Sequence, residues 1–488
     1  MSLSACALPG GNAGGRDAAT TNTIVIDGSV DEWSPDAACT ADGDYLYVRF
    51  ATPDEEYTLQ HGPRTLSVFL DLDARPDTGT TSDAPTDAAR GADLVVEFSP
   101  QTGGPTPGQG VAAYAVDSRG VRRVVRHADL GLIFAPTYAS TWYELRISRH
   151  PASAAGLAAG LTPSSGAVRG VVVLTGQNGA VLGESDPFEA RMPALGDGDS
   201  KGVEVPSASA GALRVVTWNV LKSAPSQRPD VFARVLRALN PDVVLLQEWG
   251  DDDEATVRAW FTSFVPSPSG WNILKSADGD VAVASRFPLE RAGPAEIKAD
   301  GDTRPVRFVA AVVKTPTGDV MVGSTHLKCC GSKGSSEDQR RLAEVNAINA
   351  AMKAAKGLPA ARVVGGDLNL VGSRPPLDQL RAGLDSDRSD LTVADCPVLG
   401  DSAYYTWSDA STEFTPGRLD YILFSDSTLR PIHQFVLDTA RLGERALAAV
   451  GLRQSDARAS DHLPVVVDFE LPGGVRANVE ATIEPPAR

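Results

Sequence analysis

Ser460-Asp461-His462-Leu463-Pro464, running into Val465-Val466-Val467 and then Asp468-Phe469-Glu470-Leu471, is the stretch from which the rest of the chain is read. The apolar run reads as a buried strand and the polar residues before it as a loop at the strand's mouth. A His beside an Asp at the lip of a core strand is suited to taking a proton from water. Taken singly, the pair is as well explained by a solvated loop with a chance charge neighbour. The decision rests on how many other strands end in the same way.

Upstream of this stretch the chain alternates strand and helix patterns. Leu213 to Thr217 reads as a strand, Pro229 to Leu239 as a helix, and Asp242 to Leu246 as a strand that is apolar throughout and therefore buried on both faces. Glu254 to Phe264 is helical; Val281 to Ala284, Val306 to Lys314 and Val320 to Ser324 are strands. Ser335 or Ser336 caps a helix running to about Ala355, and Arg362 to Gly365 and Leu419 to Phe424 are further strands. This is a mixed α/β domain over residues 213–471, and the tail 472–488 reads as disordered.

The strands end in polar residues of a restricted kind: Trp218-Asn219, Gln247-Glu248, Thr325-His326-Leu327, and Gly366-Asp367-Leu368-Asn369. Arg418-Leu419-Asp420-Tyr421 begins the strand before the last. Ligand sites gather at strand ends because the sheet fixes position while the loops stay free. The set makes sense for hydrolysis of a phosphate ester. Glu248 can hold Mg²⁺, which keeps most of its waters and needs few protein oxygens. Asp367 and Asn369, two apart, face one side of an extended segment and can hold an attacking water and a phosphoryl oxygen. Of six histidines in the chain, His326 and His462 both fall at such ends; one can take a proton from water and the other donate to the developing phosphorane. Each position alone is equally a capped strand end.

The combination Thr217-Trp218-Asn219, Leu246-Gln247-Glu248, Ser285-Arg286-Phe287-Pro288, Thr325-His326-Leu327, Gly366-Asp367-Leu368-Asn369, Arg418-Leu419-Asp420-Tyr421 and Ser460-Asp461-His462-Leu463-Pro464 resembles the endonuclease/exonuclease/phosphatase superfamily. That superfamily includes DNase I-like nucleases, neutral sphingomyelinases and inositol phosphatases. The resemblance implies an α/β four-layer sandwich (DNase I-like) and Mg²⁺- or Mn²⁺-dependent attack of water on phosphorus. It implies that Glu248 binds the metal with Asn219 nearby, and that Asp461 lies in or beside the metal shell. His462 would be the general base, oriented by Asp420. Asp367 and Asn369 would position water and phosphate, and His326 would stabilise or protonate the phosphoryl oxygens. Arg418 is counted with the substrate-binding residues. Lys328 and Lys333, in the loop Lys328-Cys329-Cys330-Gly331-Ser332-Lys333-Gly334, are candidates to grip a second phosphate or a headgroup; a solvated Lys/Gly loop is the other reading.

Residues 22–204 have almost no helical periodicity. Ile24 to Gly28, Asp44 to Phe50, Leu66 to Leu72, Leu94 to Phe98, Ala112 to Val116, Trp142 to Ile147 and Val171 to Leu174 are short strands between turn signals, which argues an all-β sandwich. Ile26-Asp27-Gly28 with Asp31-Glu32-Trp33, Gly43-Asp44-Tyr45-Leu46-Tyr47-Val48, Phe69-Leu70-Asp71-Leu72-Asp73 before Thr78-Gly79, and Gly91-Ala92-Asp93 with Val95-Val96-Glu97-Phe98 resemble the carbohydrate-binding, DOMON-like sandwiches. The resemblance implies a sandwich that binds a glycan or acts as a spacer. Asp71, Asp73 and Asp77 are candidate Ca²⁺ ligands, against a solvated acidic turn. Residues 205–212, with Pro206, Ser207, Ser209 and Gly211, read as a linker, so the first domain is expected to be removable without loss of turnover.

Composition bounds these readings. A chain of 488 residues holds two or three domains, and no apolar run approaches a membrane span. The formal net charge of −17 disfavours tight binding to nucleic acid or anionic lipid unless cations mediate it; nucleic acid therefore enters only as a substrate. Leu3-Ser4-Ala5-Cys6 resembles the lipobox of bacterial lipoproteins, without the apolar segment that precedes it there, and residues 1–21 read as a flexible tether. The expectation is an extracytoplasmic protein, secreted or held at a membrane through a lipid on Cys6. A disulfide among Cys329, Cys330 and Cys396 is expected, favouring Cys396 as partner because adjacent cysteines bond each other only with strain; Cys39 is expected buried or unpaired.

The leading reading is thus a metal-dependent phosphoesterase, phosphodiesterase or phosphatase, with an accessory sandwich. The competing class is a surface glycan-binding protein with an inert hydrolase-like domain. The intact set of Asn219, Glu248, His326, Asp367, Asn369, Asp420 and His462 argues against inertness. The substrate is not legible, because such domains share chemistry and vary their loops.

Overall fold

A computed structural model describes residues 23–52, 57–152, 166–198 and 202–471. The lipobox-like Cys6, the tether and the tail after Leu471 lie outside the described residues.

The second half consists of two six-stranded sheets face to face. One runs Asn272–Lys275, Ala282–Ser285, Val243–Gln247, Leu213–Asn219, Val465–Glu470, Arg430–Val436 across its width. The other runs Leu289–Arg291, Phe308–Thr315, Gly318–His326, Ala361–Asp367, Asp420–Phe424, Thr392–Val393. Branched side chains from both inner faces, among them Val215, Leu245, Val283, Val322, Val363, Ile422 and Val467, interdigitate between the sheets. Helices Pro229–Leu239 and Glu254–Phe264 cover the outer face of the first sheet, and Ser336–Ala354 with Pro375–Arg381 that of the second. The domain is therefore a four-layer sandwich. The central strands are apolar on both faces because a helix covers one and a sheet the other; Val243–Gln247 is buried along its whole length. Two of these helices start at a side-chain cap: Asp253 accepts from the Thr256 amide, and Ser335, one of the two serines expected to cap its helix, from that of Asp338.

The first half is an all-β sandwich. A four-stranded sheet (Cys39–Ala41, Tyr45–Ala51, Trp142–Ser148, Ile133–Ala135) packs on a seven-stranded one built around Thr65–Asp71, Leu94–Phe98 and Gly166–Thr175. The edge strands Arg122–Val125, Val181–Glu184 and Phe188–Met192 escaped the sequence reading because partial exposure broke their apolar runs. Residues 24–28 are not a sandwich strand: Ile26 makes a parallel bridge to Ala403 of the second half.

The two halves share a core. Ile24, Ile26, Trp33, Tyr47, Ile133 and Ala135 pack with the inter-sheet residues of the α/β domain. Arg146, wholly buried, donates through Nη1 and Nη2 to Asp401, which is 2% exposed; the Nη2 bond is 2.7 Å. The stretch read as a linker is not loose either. Val205 is buried among the helices, and the Pro206 carbonyl accepts from Arg214. A guanidinium is held against Asp401 because neither charge tolerates burial alone. Arg146→Met is expected to destabilise the protein by about 3–5 kcal/mol, read from urea unfolding. Burial raises the Asp401 carboxyl and the Arg146 charge more than offsets this, so its net shift is downward. The stability it confers is present above the unfolded value of about 3.9 and is lost as pH falls through the lower folded value. A variant as stable as wild type at neutral pH would contradict this account of the interface.

The cysteines pair differently from the expectation. Cys329 and Cys330 are bonded to each other. Cys396 is fixed in the inter-sheet core, where burial pushes its thiol up to about 12. It is free, and the loop after His326 closes its disulfide within itself. Cys39 is buried and free, as expected.

Candidate active site

Register brings the polar strand ends together. Leu213–Asn219 lies parallel to Val243–Gln247 with Asn219 opposite Gln247, and Glu248 follows. In the facing sheet His326, Asp367 and Asp420 stand side by side on three neighbouring strands: His326 pairs with Asp367 and Asp367 with Asp420. Asp420 opens its strand rather than closing it, but that strand is antiparallel to Ala361–Asp367, so both residues lie at the same edge. Ser460 Oγ donates to the Asn219 carbonyl at 2.8 Å and ties the Ser460-Asp461-His462 loop to this edge.

The centre holds two Asp–His pairs that face one carboxylate. His462 Nδ1 lies 2.8 Å from Asp420 Oδ2, and His326 Nδ1 lies 2.7 Å from Asp280 Oδ2. The other ring nitrogens, His462 Nε2 and His326 Nε2, are 3.7 Å and 3.5 Å from Asp367 Oδ2. Both imidazoles are buried. Burial lowers the His462 pKa, but the charges of Asp420 and Asp367 outweigh it and push the group up to about 10. Burial holds the Asp367 carboxyl above its ordinary value although His462 and His326 pull it down. Asp420 Oδ2 also accepts from Thr406 Oγ1 at 2.7 Å, whereas its buried Oδ1 has no hydrogen-bond partner.

Asn219 and Glu248 stand beside this pair of dyads. Asn219 Nδ2 donates to Glu248 Oε1 and to Asp367 Oδ2, each at 3.1 Å. Glu248 Oε2 accepts from the Lys222 amide at 3.1 Å, and Oε1 is 3.9 Å from His326 Nε2. Glu248 has φ 61°, and Leu221, Lys222 and Ser223 are all left-handed. That backbone is costly for side-chain-bearing residues and is retained where it aims a functional group. Asp367, Asp420 and His462 bring ligand atoms within 4.8 Å of one another, and Asp420 leaves one buried carboxylate oxygen unmet; these hard oxygens and imidazole, with Glu248 joined to Asp367 through Asn219, fit a hard divalent cation.

Asn369 does join the site, for another reason than the one read from spacing. It has φ 48° and lies past the end of its strand, so the two residues do not alternate on a pleat. Its Nδ2 turns back to donate to Asp367 Oδ2 at 3.0 Å. Asp461 Oδ2 accepts from Trp407 Nε1 at 3.0 Å.

Of the basic residues assigned to substrate, Arg418 is engaged away from this cluster, and Lys328 and Lys333 are held through their backbones. Arg418 donates to the Ala394 carbonyl and lies over the rings of Tyr404 and Tyr421. There it lines a cavity of about 160 Å³ against the sandwich. The backbone of Lys328 is bound by Glu344 and Arg341, and the Lys333 amide donates to Thr58 of the sandwich. The calcium candidates also regroup. Asp71 and Asp73 meet Asp93, while Asp77 pairs with Arg75 at 3.5 Å on the surface. Asp77 faces away because the turn after Asp73 carries it outward, whereas Asp93 enters from the neighbouring strand; burial pushes its carboxyl up to about 6.

Asp280 and Arg307 were missed. Arg307 Nη1 lies 2.8 Å from His326 Nδ1, and its Nη2 donates to the Leu327 carbonyl. The signal for Asp280 was present: it immediately precedes Val281-Ala282-Val283-Ala284, a strand antiparallel to Val243–Gln247. The residue before an antiparallel strand sits at the same edge as the residue after its neighbour, here Glu248.

The family model for the endonuclease/exonuclease/phosphatase family matches residues 216–462, which span every strand end named above. The chain belongs to this family. It is a phosphoric ester hydrolase with a DNase I-like fold. Among solved structures it is similar to sphingomyelinase C from Streptomyces griseocarneus, at 22% identity over 53% of this chain and 99% of that one, with a TM-score of 0.35. It is similar to the human Nocturnin catalytic domain with bound sulfate, at 20% identity over 54% and 96%, with a TM-score of 0.37. The 3′ phosphatase NExo from Neisseria, bound to a product DNA hairpin, aligns at 21% identity over 53% and 99%, with a TM-score of 0.35. No curated protein sequence matches the chain.

Proposed function

We propose that the chain is a divalent-metal-dependent phosphoesterase in which His462 activates water against phosphorus. The observation that carries this reading is the convergence of the His462–Asp420 and His326–Asp280 pairs on Asp367 Oδ2. Asp420 accepts the Nδ1 proton of His462, which leaves Nε2 as the proton acceptor facing the reaction centre. As water attacks, its proton passes to Nε2 and the new imidazolium is held by Asp420. His326, held by Asp280, donates toward the oxygens of phosphate or the departing ester oxygen. Asn369 and Asn219 orient Asp367. Glu248, with Asn219 and Asp461, would hold Mg²⁺ or Mn²⁺, which supplies charge stabilisation to the phosphoryl oxygens when bound.

The test is release of phosphate or leaving group from plasmid DNA, RNA, sphingomyelin and inositol phosphates, with Mg²⁺ and with EDTA. Metal-reversible turnover of at least one class is expected, and no turnover on any of them would sink the reading. Asp280→Asn is expected to lower kcat by about 10²-fold, because the amide no longer holds a protonated His326. Wild-type kcat in that variant would remove His326 from proton transfer.

Export belongs to the same proposal. It is supported by Leu3-Ser4-Ala5-Cys6 and by the Cys329–Cys330 bond, since disulfides persist in oxidising compartments. Fractionation of cells, with mass analysis of Cys6, checks it; an unmodified protein confined to the cytoplasm would exclude it.

A further inference from the structure

One loop of the sandwich touches three loops of the active centre. Thr58 Oγ1 accepts from the Lys333 amide at 3.0 Å, in the segment after His326. The same hydroxyl lies 3.5 Å from the Gly372 carbonyl, three residues after Asn369, and that carbonyl also accepts from the Ala139 amide of the sandwich at 2.8 Å. Two residues along, Gln60 Oε1 accepts from the Thr415 amide at 3.0 Å. Next to this contact the Val111 amide donates to the Glu413 carbonyl at 2.8 Å, and His127 Nε2 lies 3.0 Å from the Thr412 carbonyl.

The segment so gripped, residues 408–417, has no helix or strand of its own. Its two ends carry groups that hold the dyad. At one end Trp407 Nε1 and the Ser408 amide bind Asp461, and Thr406 Oγ1 donates to Asp420 Oδ2. At the other end the Leu419 and Asp420 amides donate to that same Thr406 Oγ1, each at 2.9 Å. An irregular segment is ordered by whatever binds its backbone, and here the Thr412 and Glu413 carbonyls and the Thr415 amide are bound by the sandwich.

We propose that Thr58 and Gln60 are positioning residues of the phosphoesterase centre, and that the sandwich is part of the catalytic unit rather than a removable accessory. This rests on the roles given above to Asp420, Asp461 and His462. Small displacements of a proton acceptor cost rate more than affinity. Loss of the grip therefore lowers kcat and leaves KM nearly unchanged.

The test uses the full chain with Thr58→Val/Gln60→Ala, and Gln60→Glu as the variant that keeps an acceptor oxygen. With bis(p-nitrophenyl) phosphate and Mn²⁺, the double variant is expected to lose about 10–100-fold in kcat, with KM within about threefold. Gln60→Glu is expected to retain more turnover than the double variant. In parallel, amide hydrogen exchange over 406–420 and 460–463 should accelerate in the double variant and stay near wild type in Gln60→Glu. Unchanged exchange over those peptides overturns the proposal, as does wild-type kcat in the double variant. A wild-type chain that cleaves no ester counts against the proposed function instead, and the exchange measurement still decides the positioning role.

Discussion

His462→Ala is expected to lose several orders of magnitude in kcat while the protein remains folded. The imidazole is buried, and its Nδ1 is bound by Asp420 Oδ2 while its Nε2 faces Asp367, so the substitution removes the proton acceptor of the pair. Asp420→Asn should lose somewhat less, because the ring remains but its tautomer is no longer imposed. The two losses should not add, since both act on one proton transfer. A double variant whose loss equals the product of the single losses would mean that the pair does not act as a dyad.

The pH dependence follows from the same charges. Burial alone would lower the His462 pKa, yet Asp420 and Asp367 push it up to about 10. The acceptor must be neutral, so activity rises with pH as His462 loses its proton. Removing the Asp420 charge removes the larger stabilisation of the imidazolium, and in Asp420→Asn the rising limb should move to lower pH. Stability runs the other way. The imidazolium's contribution is complete below the unfolded value of about 6.5 and is lost as pH rises through about 10. A limb that stays in place in Asp420→Asn would assign the titration to another group.

Glu248→Gln is expected to abolish most metal-dependent turnover with little change in stability. The amide keeps the shape of the side chain but not the charge that holds a hard cation. It also tests the geometry, because Glu248 Oε1 and Oε2 accept from Asn219 Nδ2 and the Lys222 amide. A glutamine oxygen can accept only one of these, so any residual activity should need a higher Mg²⁺ or Mn²⁺ concentration. Wild-type turnover at low metal would exclude Glu248 as a ligand. The half-buried position of the side chain makes the substitution mild for folding, in contrast to a change at wholly buried Asp367.

Local sequence pattern was enough for the α/β domain and for most of the candidate site. Continuous apolar runs such as Val243 to Leu246 mark strands buried on both faces, and a polar residue at the end of such a run is conspicuous against it. Asn219, Glu248, His326, Asp367, Asp420 and His462 were legible for that reason, and register brings them together. The pairings depend on contacts across long chain separations, which leave no mark in local patterns. Asp280 reaches His326 across 46 residues, and Asp93 takes the place expected of Asp77 beside Asp71 and Asp73. Asn369 meets Asp367 through a left-handed turn rather than a pleat, and a backbone of that sign leaves no periodic trace. The relation between the halves lay furthest from the sequence. A Pro-, Ser- and Gly-containing stretch reads as a linker by composition, but Arg146 against Asp401 and Gln60 against Thr415 join residues 255 and 355 positions apart. Composition reports how a segment behaves alone, whereas a buried ion pair exists only once both surfaces have met.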